Sequence, residues 1–266
     1  MHPLRLLPLA LLCTATVACA QTDPEPLVRV GRLQLIAQRL RSEAGQTLAG
    51  DSDAMSTLKA DRARGADLAV QVAKLSPDNG VAKAWAQLDS DLGKVVAGEA
   101  TVKSVAEIVS DLSAKLPVLN SRMDEVVKIC TERSNGTKQQ VMLASREMLL
   151  SDRMMRRIAS IQAGGEESQA AADGLQRDWM FYRAVIQGLL DGNPDLNIAK
   201  STEPSMRSVL TEIGTQAADL DAQMKKLLEA TSALQDMRQA ADASVIDGET
   251  VVLKSETVLA GLLKAR

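Results

Sequence analysis

A stretch of the chain occurs twice, and this repetition constrains the fold more than any other feature. Arg32-Leu33-Gln34-Leu35-Ile36-Ala37-Gln38-Arg39-Leu40 returns 114 residues later as Arg146-Glu147-Met148-Leu149-Leu150-Ser151-Asp152-Arg153-Met154. The register then holds without a gap: Ala49-Gly50 falls on Ala163-Gly164, Val72 on Ile186, Leu75 on Leu189 and Asn79 on Asn193. A repeat of this period means that one structural unit is present in two copies, each burying its own apolar face.

The unit is helical. Apolar residues recur at steps of three and four from Leu27 onward, and proline and glycine clusters fall between the periodic segments. Phe, Tyr and Trp supply only 2% of residues, which disfavours strands, whereas 45% of residues are hydrophobic and can fill a core of packed helices. The pattern predicts helices over 27–49, from about 52 to Leu75, from Val81 with a loosening at Gly98, over 102–112, over 167–190, and from Pro204 to about 228. Terminal helical segments follow to Leu263, with a break near Asp247-Gly248. Pro117 reads as a helix start, because a first turn tolerates proline. From there no proline occurs up to Ala163, which predicts one long helix over 117–163 whose polar middle, Thr131 to Gln140, crosses between two cores. A break at Gly136 is the alternative. The expected architecture is all-α: two tandem up-down helical bundles sharing a long central helix, elongated, with modules over 25–130 and 131–266.

Charge and residue usage exclude several functions. The formal net charge is −3. Beyond Ala20, 30 basic residues face 34 acidic ones, because Arg5 is the only charged residue before that point. No basic patch with interleaved aromatics is available for nucleic acid. The single histidine is His2, so histidine triads and histidine metal sites are absent, no cofactor or metal is expected, and the chain reads as a non-enzyme.

Residues 1–20 read as a secretory signal peptide: a basic start at Arg5, an apolar run from Leu6 to Ala18, and a small-x-small end at Ala18-Cys19-Ala20. The run is short for a membrane span, and the expected location is periplasmic. The minor alternative is an outer-membrane lipoprotein through Cys19, since Val17-Ala18-Cys19 resembles the end of a lipobox, although Thr16 stands where leucine is usual. With Cys13 and Cys19 in the leader, Cys130 is the body's one thiol and reads as a small buried hydrophobe.

The candidate ligand-binding residues are Arg32, Arg39, Arg146 and Arg153. Each pair is spaced by seven residues and lies along one helix face, and guanidinium forks suit a small anion or an amino-acid-like ligand. The competing role is structural, with pairing to acids such as Asp61, Asp124, Glu125 or Asp178. Leu35 with Ile36, and Leu149 with Leu150, are expected to point largely towards the core. Trp179 and Tyr182 share a helical face and read as packing groups.

Gly31 to Leu40, GRLQLIAQRL, and Ser145 to Met154, SREMLLSDRM, resemble the GRQRMLSQRM-type motif of the PilJ-type N-terminal sensor domain of type IV pilus methyl-accepting chemotaxis transducers, which is related to the periplasmic domain of nitrate sensor kinases. Asp124-Glu125-Val126-Val127 and Gly188-Leu189-Leu190-Asp191-Gly192-Asn193 also resemble the tandem form of that domain. The resemblance implies a helical sensing module outside the cytoplasmic membrane, often a homodimer, that binds a small ligand or a partner such as a membrane sensor or pilus component. In nitrate sensors the anion-contacting arginine stands three positions after the motif glycine; this chain has Gln34 and Met148 there. The chain runs only to Arg266, so it is expected not to relay a signal across a membrane by itself.

Overall fold

The computed structural model describes residues 25–76, 78–132 and 137–265. The leader with Cys13 and Cys19, and Gly136, lie outside the described residues. Seven helices follow one another among those described: α1 (Glu25–Leu48), α2 (Ser52–Ala73), α3 (Val81–Ala97), α4 (Glu99–Glu132), α5 (Lys138–Ala163), α6 (Ser168–Asp191) and α7 (Pro204–Lys264). The extended pairing among them is a single bridge of Asn193 with Ile198.

The repeat is visible in the turns as well as in the helices. Gly50 after α1 and Gly164 after α5 both take the left-handed conformation, at φ of 94° and 65°, which a residue with a Cβ adopts only at a cost. Asn79 accepts a hydrogen bond from the Val81 amide, and Asn193 accepts one from the Leu196 amide, so each asparagine closes the turn after the second helix of its module.

Each module is a helical hairpin followed by a long helix. Two hairpins, α1 with α2 and α5 with α6, pack on a spine made of α3–α4 and α7. The spine is antiparallel, because contacts fall at rising positions of α7 as they descend α4 and α3. Cys130 Sγ lies 3.6 Å from Met206 Sδ, Arg122 bonds Glu212 at 3.0 Å, Gln223 bonds Asp111, and Asp91 shares a hydrogen bond with Asp247. The two bundles therefore interleave: α1 and α3 close on the second half of α7, with α2 packed on α1 and α3, while α5, α6 and the end of α4 close on its first half. At 1.5 Å per residue, the 61 residues of α7 span about 92 Å, and the molecule is elongated.

Three expectations need correction. The helix predicted over 117–163 is two helices that fold back on each other. Thr137 is extended, its hydroxyl accepts from the Gln140 amide, and the Gln140 side chain accepts from the Thr137 amide, a reciprocal cap that fixes a helix start. α4 thus ends at Glu132 and α5 begins anew at Lys138, and the long helix shared by both bundles is α7.

Pro117 starts nothing and sits inside α4. It is exposed, as is Ser113, whose carbonyl loses its helical partner on a face that water reaches. Finally, α7 does not break at Gly248. That glycine lets α7 meet α1, since a Cβ there stands 3.2 Å from the Ala37 carbonyl oxygen.

Candidate functional site

The repeated arginines form two separate stations, one on each hairpin, and do not converge on one ligand. On the first, Arg39 of α1 pairs with Asp61 of α2, a buried carboxylate that Arg64 also approaches at 3.6 Å. Glu43, one turn beyond Arg39, shares a side-chain hydrogen bond with Asp61. Its carboxyl is raised above the ordinary glutamate range, first by burial and then by the charge of Asp61, with Arg39 opposing.

On the second, Arg153 of α5 grips Asp178 of α6 with two parallel bonds, Nε to Oδ2 at 2.8 Å and a terminal nitrogen to Oδ1 at 2.5 Å. Arg157 adds a third contact at 3.1 Å. It reaches the aspartate across Gly174, where any side chain would occupy its path. Charge-assisted forked pairs of this kind fix geometry as well as supplying energy.

Beside this second station lies Glu147, with no exposed surface and, among the described residues, no hydrogen-bond partner for either carboxyl oxygen. Burial pushes its carboxyl up to about 7; Arg146 and Arg153 draw it down and Asp178 adds to the rise. The Tyr182 hydroxyl is buried, unpartnered and raised above its ordinary range, by burial first and then by the charge of Glu147. The Tyr182 ring stacks on Trp179 at 5.8 Å between centroids, and the Trp179 indole donates to Asp221 of α7 at 2.8 Å. The Cys130 thiol is buried and raised by desolvation.

Arg32 and Arg146 are exposed. Arg146 lies over the Phe181 ring, 5.1 Å from its centroid, within cation–π range, while Arg32 makes no ion pair with the described residues. The expectation for the intervening leucines is half wrong. Ile36 and Leu150 are buried, but Leu35 is 55% exposed and Leu149 is 71% exposed.

Adjacent helical residues diverge by about 100°, and the core ladder of Val30, Leu33, Ile36, Ala37, Leu40 and Ala44 claims the inner face. What faces outward is one stripe present twice: Val28, Arg32, Leu35 and Arg39 on α1, and Met142, Arg146, Leu149 and Arg153 on α5, with Val28 and Met142 also exposed.

Sequence reasoning also missed a groove of about 760 Å³ between the α1–α2 turn and α4, lined by Thr47, Met55, Val102, Lys103, Ala106 and Glu107 among others. The turn reaches α4 because a Cβ at Gly50 would stand 3.0 Å from the Ala106 Cβ. Among the described residues, no three His, Cys, Asp or Glu side chains stand together as a metal site. No described helix is long and apolar enough to cross a membrane.

No family model matches the chain. The chain is similar to PilJ. Identity to the PilJ protein of Pseudomonas aeruginosa is 26% over 254 residues, covering 90% of this chain and 37% of that protein. AlkN of Alcanivorax borkumensis, named for methyl-accepting chemotaxis, is 26% identical over 229 residues, which is 84% of this chain and 34% of AlkN. The chain thus spans about a third of the length of the curated relatives it matches. Among solved structures, the TorS sensor domain in its complex with TorT aligns over 88% of this chain and 97% of that one, at a TM-score of 0.42 and 9% identity.

Proposed function

We propose that the chain is a non-enzymatic, sensor-type binding module that works outside the cytoplasmic membrane in a type IV pilus or chemosensory setting. The similarity to PilJ and AlkN along most of the chain supports the setting. The observation that carries the mode of action is the outward stripe of α1 and α5. Four large apolar residues are held in solvent at matching positions of both modules, each flanked by arginines. Large apolar side chains lined up along one helix face and repeated on a second helix form a patch of the kind that a partner surface covers.

The covering surface has to be helical, apolar and acidic, and the chain carries one. On α7, Asp242, Ile246, Glu249, Leu253 and Glu256 follow the same steps of four and three, with Ile246 and Leu253 exposed. The partner in this reading is a second copy, docked basic stripe to acidic stripe. Sedimentation velocity of the wild type against Leu35→Glu with Leu149→Glu tests it. The wild type should sediment as a dimer and the double variant, with unchanged helicity, as a monomer; a wild type that stays monomeric at high concentration refutes the reading.

A structural role for part of the motif is a second reading. It is favoured by the hold of Asp61 and Asp178 on Arg39 and Arg153, which makes these two arginines braces of their hairpins.

A further inference from the structure

We propose that the groove between the α1–α2 turn and α4 binds a small zwitterion with an apolar body, of the chemistry of an aliphatic amino acid or a short peptide with free ends. The inference rests on reading the chain as a sensor-type binding module and gives that module a ligand site. Three features of the groove carry it.

The first is an orphan hydroxyl. Thr47 lines the groove with 1% of its surface exposed, and its Oγ1 has no hydrogen-bond partner among the described residues. A buried hydroxyl without a partner costs stability, and the fold does not require one here. The matching residue of the other module is Ile161, fully buried in the core.

The second is a pair of uncommitted charges. The other charged groups of the lining are engaged: Asp51 caps α2, Glu99 bonds Lys59 at 2.6 Å, and Asp111 bonds Lys115 at 2.7 Å. Lys103 and Glu107, exposed on α4, make no ion pair with each other or with any described residue. They stand one helical turn apart, about 6 Å along the axis, with lysine preceding glutamate, the weaker order for a pair within a helix. A ligand that presents a carboxylate to Lys103 and an ammonium to Glu107 satisfies both.

The third is the apolar base beneath these charges. Met55 and Val102 are buried and Ala106 is partly so, leaving a wall for an aliphatic side chain. At about 760 Å³ the groove lies within the range of small-molecule sites.

Isothermal titration calorimetry of the purified protein tests the assignment with L-leucine and leucyl-leucine as probes, and with isocaproate and isoamylamine as counterparts of leucine that lack one charge each. Saturable binding of a zwitterionic probe is expected. Lys103→Gln and Glu107→Gln should each weaken it by about tenfold, the loss of one charge-assisted contact, and Thr47→Val should weaken it by less. Both charged residues are exposed, so these variants keep the fold, which circular dichroism checks.

No saturable binding of either zwitterion overturns the proposal, as does equal binding of the singly charged counterparts or indifference to both glutamine variants. Sedimentation of the same samples keeps the two readings apart. Absent groove binding with an intact dimer refutes this assignment alone, and an absent dimer with intact groove binding refutes the stripe reading alone.

Discussion

Glu147→Leu should stabilise the protein, and by an amount that depends on pH. Glu147 is fully buried without a partner for its carboxyl, and its group is pushed from 4.5 to about 7. A folded-state value above the unfolded one means that the folded chain holds the proton more tightly. The stabilisation due to this proton is complete below pH 4.5, fades as pH rises towards 7, and is gone above it. A shift of this size at 1.36 kcal/mol per unit amounts to about 3 kcal/mol.

The variant places at 147 what the first module already has at the matching position, Leu33, which is equally buried. Urea unfolding of wild type and variant at pH 5 and pH 8 measures the effect. The variant's advantage should grow by about 2.5 kcal/mol between the two, because at pH 5 part of the full effect has already titrated. Taking the difference between the proteins cancels the contributions of Glu43 and Asp247, which are raised in the same direction. An advantage that is equal at the two pH values, or a variant less stable at pH 8, refutes the account of a carboxyl held there against its own solvation.

Removing the acid that the second arginine station shares, by Asp178→Ala, should cost about 2 kcal/mol in urea unfolding, the scale of a lost charge-assisted hydrogen bond; Arg153 is half exposed and can turn to water. Arg32→Ala, on an exposed residue with no ion pair, should stay within about 0.5 kcal/mol. Gly98→Ala should cost about 1–3 kcal/mol by overpacking, since its Cβ would stand 1.8 Å from Met237 Sδ where the junction of α3 and α4 crosses α7. Adding Met237→Ala should recover part of that loss, and strict additivity would show that the crossing is not where the strain lies. Gly164→Ala, at positive φ and 2.6 Å from the Leu234 carbonyl oxygen, should lower the melting temperature, whereas Gly165→Ala, with open space around it, should leave it almost unchanged.

The all-α class, the doubled hairpin and its turn residues were legible because they rest on local signals: helical spacing, the alignment of Gly50 with Gly164, and that of Asn79 with Asn193. The path of the long helices was not. A glycine that ends a helix and one that lets two helices touch look alike in a sequence, and Gly248 is of the second kind. Pro117 is tolerated inside α4 because the turn before it faces water, a fact of tertiary placement. The break that does occur, at Thr137, carried a readable signal. Thr137 followed three residues later by Gln140 is a capping box, and a run of polar residues had disguised it as the exposed middle of a longer helix.

The candidate sites were legible in a different way, through the places where the two copies disagree. Where one module has an apolar core residue and the other a polar one, the backbone environment is shared and the fold is known to accept the apolar choice. Five such exchanges fall on buried positions: Thr47 against Ile161, Asp61 against Leu175, Glu147 against Leu33, Ser151 against Ala37 and Ser168 against Ala54. Stability does not explain the polar member of any of them, because its counterpart shows that a hydrocarbon fits. Asp61 braces Arg39, a role that Asp178 fills in the other copy one turn further along α6. Ser151 donates to the Leu116 carbonyl at 3.5 Å, whereas the side chains of Thr47, Glu147 and Ser168 have no hydrogen-bond partner among the described residues. The agreements between the copies therefore point to the shared scaffold and its outward stripe, and the disagreements point to what distinguishes each module: a groove with an unmatched hydroxyl in the first, and a buried carboxyl in the second.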